Sequence, residues 1–184
     1  MKIKIIIFVA LIISLLLPTR VFAQMPIYND LPSVLNEIQV TENRATFSLA
    51  DIGVSERRLA GPFSDVTIFF SVPQNWQLTA GSSIQLQFDI TISRTGENLS
   101  EDVTYASGAN LIVEFNDVVI GTIAVDKSGN YTQQFLIPGE AVVSSRVDGR
   151  HALQITLDSQ LSCNYDLSAS ATIKAGSIID LFYQ

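Results

Sequence analysis

Ile84, Leu86, Phe88, Ile90 and Ile92 alternate without a fault with Gln85, Gln87, Asp89 and Thr91. A period of two puts alternate side chains on opposite faces of a strand, so this stretch predicts one buried side and one polar side. Leu153, Ile155 and Leu157 alternate in the same way with Gln154, Thr156 and Asp158, and Val66, Ile68, Phe70 and Val72 form one face of another run. Adding 46–49, 111–115, 118–125, 131–137, 169–173 and 177–182 gives about nine strands. Turn residues separate them at short intervals, which predicts an all-β antiparallel sandwich rather than a parallel sheet with crossover helices.

Local chemistry sharpens several boundaries. Asn116 and Asp117 join two apolar runs, and both residue types tolerate positive φ, so they predict the tight hairpin turn that matches strand twist. Gly121 interrupts the return strand, where a missing side chain marks a bulge or a close backbone approach. Pro73 and Pro138 follow strand runs and should end them, because proline donates nothing to the ladder. Only 140–146 offers a candidate helix, about two turns long by its spacing.

The start of the chain follows a different pattern. Lys2 and Lys4, an apolar stretch over 5–17 broken only by Ser14, and Val21-Phe22-Ala23 have the layout of a secretory leader over 1–23. Cleavage there would start the mature chain at Gln24. The apolar stretch is shorter than the roughly 20 residues that span a bilayer, which argues against an uncleaved anchor. Residues 24–44 hold Pro26 and Pro32 and no sustained period, and read as an extended lead-in to a domain over 45–184.

Charge then narrows the partners. The whole chain carries 11 basic and 18 acidic residues. Without Lys2, Lys4 and Arg20 the balance is 8 against 18, a formal charge of −10, which argues against nucleic acid or anionic lipid. Cys163 is the only cysteine, so no internal disulfide can close and stability must come from packing. A buried thiol acting as a small hydrophobe is the simplest role for it.

No catalytic constellation stands out. His151 is the only histidine, and a triad or zinc site needs further imidazole or thiolate partners. No phosphate-cradling glycine loop or metalloprotease helix is present in the sequence, and no cofactor is implied. Asp51, Asp65, Asp126 and Asp148 lie in or near predicted turns, but their spacing matches no compact calcium loop. The suggestive signal is aromatic. Trp76 follows Pro73-Gln74-Asn75 in an inter-strand loop, and Tyr105 lies in the polar segment 96–108. An exposed indole or phenol offers a flat surface for the CH face of a sugar ring, whereas the same Trp76 folded inward would plug the sandwich edge.

Three stretches in order, "FSLADIGVSERRLAGP" (47–62), "IFFSVPQNWQLTAGSSIQLQF" (68–88) and "LIVEFNDVVIGTIAV" (111–125), resemble the start of the bacterial cellulose synthase regulatory subunit, the periplasmic B subunit. "FLIPGEAV", "HALQITLDSQLSC" and "ATIKAGSIIDLFY" continue the likeness, which spans roughly 46–183. The resemblance implies a jelly-roll carbohydrate-binding domain without catalytic activity. It also implies a periplasmic location beside the catalytic subunit or other envelope modules, and a nascent β-glucan (cellulose) chain as ligand. Direct binding of cyclic di-GMP is not expected, since the basic arginine motif such a site needs is missing. The alternative is a structural or adhesive sandwich that contacts other proteins and binds no sugar.

Overall fold

The computed structural model describes residues 39–41, 43–94, 97–98, 109–143, 146–159 and 167–184. All belong to one compact unit, Ser33–Gln184. The leader and most of the lead-in, together with Tyr105 and Cys163, lie outside the described residues.

Among the described residues twelve strand segments follow one another: β1 (Gln39–Thr41), β2 (Arg44–Ser48), β3 (Arg57–Ala60), β4 (Phe63–Phe70), β5 (Ser83–Arg94), β6 (Glu97–Asn98), β7 (Ala109–Phe115), β8 (Val118–Val125), β9 (Gly129–Leu136), β10 (His151–Asp158), β11 (Leu167–Ile173) and β12 (Ile178–Phe182). They form two antiparallel sheets. The smaller has the order β4-β10-β7-β8, and the larger runs β1-β2-β12-β5-β11-β3, with β9 and β6 also on β5. The all-β sandwich expected from the alternation is therefore the observed architecture.

β5 organises the larger sheet because its length lets it pair with two segments in series. Ile173 of β11 faces Phe88 and Ile178 of β12 faces Gln85, so β11 and β12 are one line interrupted at 174–177. β2 and β3 repeat this on the next line, with Ser48 opposite Ile178 and Arg57 opposite Ile173. The interruption is held by Ser177, fully buried, whose hydroxyl accepts from Gln87 N–H at 3.0 Å and donates to the Lys174 carbonyl at 2.8 Å. A bulge of this kind bends a strand and increases its twist, which suits a sheet that must curve over a core.

The inward residues of β5 are those of the alternation: Ile84, Leu86, Phe88, Ile90 and Ile92 are at most 3% exposed. They pack against Leu111, Val113, Phe115, Leu153, Ile155 and Leu157 of the smaller sheet in one continuous cluster. Phe47 of β2 meets Phe70 of β4 edge-on, at 5.8 Å between ring centroids, which ties the two sheets directly.

Asn116 and Asp117 adopt φ of 48° and 66°, the two positive values of a type I′ hairpin. Gly121 serves both readings of an interrupted strand. The β7–β8 register shifts between Val113 and Glu114, and the Phe135 ring lies so close to Gly121 that an added Cβ would sit 2.5 Å from it. The candidate helix over 140–146 is not formed as expected. A single 3-10 turn, Gly139–Ala141, follows extended Pro138, and residues 142–143 bend away. The β-branched Val142 and Val143 are poor helix formers, and a three-residue turn gives little cooperative gain to extend.

Candidate carbohydrate-binding surfaces

Trp76 lies at the rim of the sandwich. Its loop is fixed by main-chain bonds from Gln77 N–H to the Gln184 carbonyl (3.1 Å), from Gln184 N–H to the Gln77 carbonyl (3.0 Å) and from Thr79 N–H to the Phe182 carbonyl (2.8 Å). The strip thus extends the ladder past the end of β12, and Leu78, bridged to Tyr183, turns into the core. Trp76 itself is half-buried and stacks on Tyr183, with centroids 3.7 Å apart and planes at 4°. It is neither a full plug nor a free platform: one indole face is covered by a phenol ring. Tyr105, the other aromatic candidate, lies outside the described residues.

His151 is a structural residue. It is 5% exposed and packs against both Phe70 and Phe115, with ring centroids at 5.6 and 5.7 Å, in a cluster in which the two phenyl rings are themselves 6.0 Å apart. The Asn116 amide donates to His151 Nδ1 at 2.9 Å and to the Ala141 carbonyl at 2.7 Å, while Asn116 Oδ1 accepts from Ala152 N–H at 3.0 Å. An amide NH2 only donates, so Nδ1 carries the lone pair and the ring is neutral with its proton on Nε2. Burial pushes the imidazole pKa below its ordinary value, in agreement with a neutral ring.

Of the four aspartates, Asp65 lies within β4 rather than in a turn, and Asp51 and Asp148 are occupied by local bonding. Asp51 accepts from Ser48 N–H at 2.6 Å and from the Ser48 hydroxyl at 2.7 Å. Asp148 pairs with Arg146 and Arg150, whose hydrogen bonds hold its carboxyl well below the usual range. Among the described residues no group of three or more His, Cys, Asp and Glu is placed to hold a metal ion.

The two outward faces differ in chemistry. On the smaller sheet Asp65, Glu114 and Asp158 point outward beside exposed Phe63 (62%) and Phe69 (41%), and Arg146 and Arg150 stack over the Phe69 ring at 4.5 and 5.0 Å. The larger sheet presents Gln85, Gln87, Asp89 and Thr91 of β5, flanked in register by Gln134, Thr132 and Asn130 of β9 and by Thr172 and Ser170 of β11. Its one central carboxylate, Asp89, is paired with Lys174 from the bulge, and Glu56 lies 3.5 Å from the same ammonium. Asp180 nearer the edge is held by Arg44 at 2.8 and 2.6 Å and by the Thr46 hydroxyl at 2.9 Å, contacts that lower its pKa. The alternation in β5 foretold a polar outer side, but which strands would flank it was set by pairings between distant segments.

The model of the family described as "Cellulose synthase BcsB, first CBM domain" matches residues 42–184. The chain belongs to that family. The BcsB first-domain match covers every described residue from 43 onward. No curated protein matches the chain. Among solved structures, one similar chain is titled "Structure of infectious bursal disease virus Gx strain". It is 10% identical, with 71% of this chain and 43% of that chain covered, and its TM-score of 0.12 carries no argument. Among the described residues no helix is long and apolar enough to cross a membrane.

Proposed function

We propose that this BcsB first domain is a non-catalytic carbohydrate-binding module of a cellulose synthase regulatory subunit, which guides nascent β-glucan during synthesis and export. The observation that carries this reading is the family match over 42–184. The sequence supports a periplasmic location, with a leader over 1–23 removed so that the mature chain begins at Gln24, followed by a lead-in over 24–44 and the domain over 45–184. Partners are the glucan chain and the catalytic subunit or other envelope modules, with no nucleic acid and no cyclic di-GMP. Trp76, stacked on Tyr183 at the rim, and Tyr105 are the aromatic candidates for contact with a sugar ring.

Calorimetric titration of the purified protein with cello-oligosaccharides tests the function. Saturable heat is expected, and no heat with any glucan would sink it. Trp76 is the only tryptophan, so its fluorescence reports separately on the rim, and Trp76→Phe identifies the source of any signal.

A second reading, an envelope sandwich that contacts protein and binds no sugar, is favoured by Phe63 and Phe69. Both point outward from β4, an edge strand of the smaller sheet. A synthase component retained by the parent and released by Phe63→Ser/Phe69→Ser, together with silent calorimetry, would establish it.

A further inference from the structure

We propose that the glucan lies on the outer face of the larger sheet, across β9, β5 and β11, and is held by the amides and hydroxyls of Gln85, Gln87, Thr91, Thr132, Gln134 and Thr172. This assignment rests on the carbohydrate-binding reading and adds to it a site separate from the Trp76 rim. An ordinary solvated sheet face mixes lysines with acids, which keep it soluble and discourage association. Here a protein with a net charge of −7 has spared the centre of its broadest face from unpaired charge. Asp89 is neutralised by Lys174, and the rows around it carry carboxamides and hydroxyls. That composition suits an uncharged, hydroxyl-rich polymer and gives no attraction to a polyanion.

The hydrogen-bonding capacity of this face is largely unspent. The side chains of Gln85, Gln87, Thr132 and Thr172 make no hydrogen bond to another described residue, while Gln134 donates to the Ser83 hydroxyl at 3.1 Å. Gln87 lies over Gly176 of the bulge, where an added Cβ would be 3.4 Å from its Oε1, an ordinary contact. Strands are about 4.8 Å apart, and a pyranose unit advances a glucan by a similar length. A chain crossing the strands therefore meets a new strand at nearly every sugar. The row Gln134–Gln85 supplies two carboxamides side by side, each able to donate and accept with vicinal hydroxyls. No aromatic side chain stands among these six residues, so the face suits a single hydrated chain better than a crystalline surface.

The test is an NMR titration of the isotope-labelled protein with cellohexaose, with affinities measured by calorimetry on variants. The side-chain amides of Gln85, Gln87 and Gln134 are expected to shift. Gln85→Ala/Gln134→Ala should bind about tenfold more weakly at an unchanged melting temperature. Gln154→Ala, an outward glutamine on the smaller sheet, should bind like the parent. If the parent binds but the shifts gather around Trp76 and the double variant keeps its affinity, the face assignment is overturned and the carbohydrate function stands. If the parent binds no glucan at all, the carbohydrate reading falls and takes the assignment with it.

Discussion

At the scale of single residues, the most consequential side chain is Asn116, because one buried amide serves the hairpin, β10 and the 3-10 turn at once. Asn116→Ala would strand the Ala152 N–H and the Ala141 carbonyl, and a loss of about 2–4 kcal/mol is expected in denaturant unfolding, since each buried unsatisfied group costs about 1–3 kcal/mol. Its neighbour His151 links stability to pH. The folded-state pKa lies below the ordinary value, so the unfolded chain takes up a proton first as pH falls. Stability should be flat above about pH 7.5 and should decline as pH drops below about 6.5, and His151→Phe should remove that slope. A melting temperature that does not change between pH 7.5 and 5.5 in the parent, with other titrations matched in the variant, would contradict this. Gly121 is set by space rather than by backbone angle. The Phe135 ring occupies the place of a Cβ, so Gly121→Ala should cost about 1–3 kcal/mol. Gly121→Ala/Phe135→Leu should cost less than the two single changes added together, as a double-mutant cycle would show.

At the scale of elements, alternation works where one face is buried and one is wet, which is why β5, β10 and the second half of β4 were legible from their residues alone. β3 was not. Arg57-Arg58-Leu59-Ala60 buries only Leu59, and a single inward residue creates no period. Its strand character comes from β11 alongside it, a partner more than a hundred positions away. The break between 169–173 and 177–182 was legible, but not the way the two segments line up across it. They are one line that jogs past β5. Ser177 holds that jog, and Ser177→Ala would leave Gln87 N–H without its acceptor in a fully buried place. A loss of about 1–3 kcal/mol is expected. The amide exchange of Gln87 should speed up more than that of Ile84, which pairs with Phe135 away from the bulge. Uniform acceleration along β5 would mean that the hydroxyl is not the local fastener.

At the scale of the whole molecule, the polar outer face illustrates what a sequence can and cannot display. Gln85, Gln87 and Asp89 announced a wet side, but a surface exists only when β9 and β11 are laid beside β5 from positions about 45 and 80 residues along the chain, distances closed by long-range pairing rather than local pattern. The same long-range closure makes the C-terminal strand decisive. β12 joins β2 to β5 and buries Ile179 and Leu181 completely, and Gln184 completes the ladder that holds the Trp76 loop. Removing 178–184 would expose the inner side of β2, including Phe47 and its edge contact with Phe70 between the sheets. Two buried aliphatics alone are worth about 3–6 kcal/mol, a large part of the 5–15 kcal/mol that a domain has in total. The shortened chain should lose its cooperative thermal transition and its Trp76 emission should move to the wavelength of exposed indole. A cooperative melt within a few degrees of the parent would show instead that β5, β9 and β11 with the smaller sheet suffice, and that β12 with β1 and β2 is an appendage to a smaller stable core.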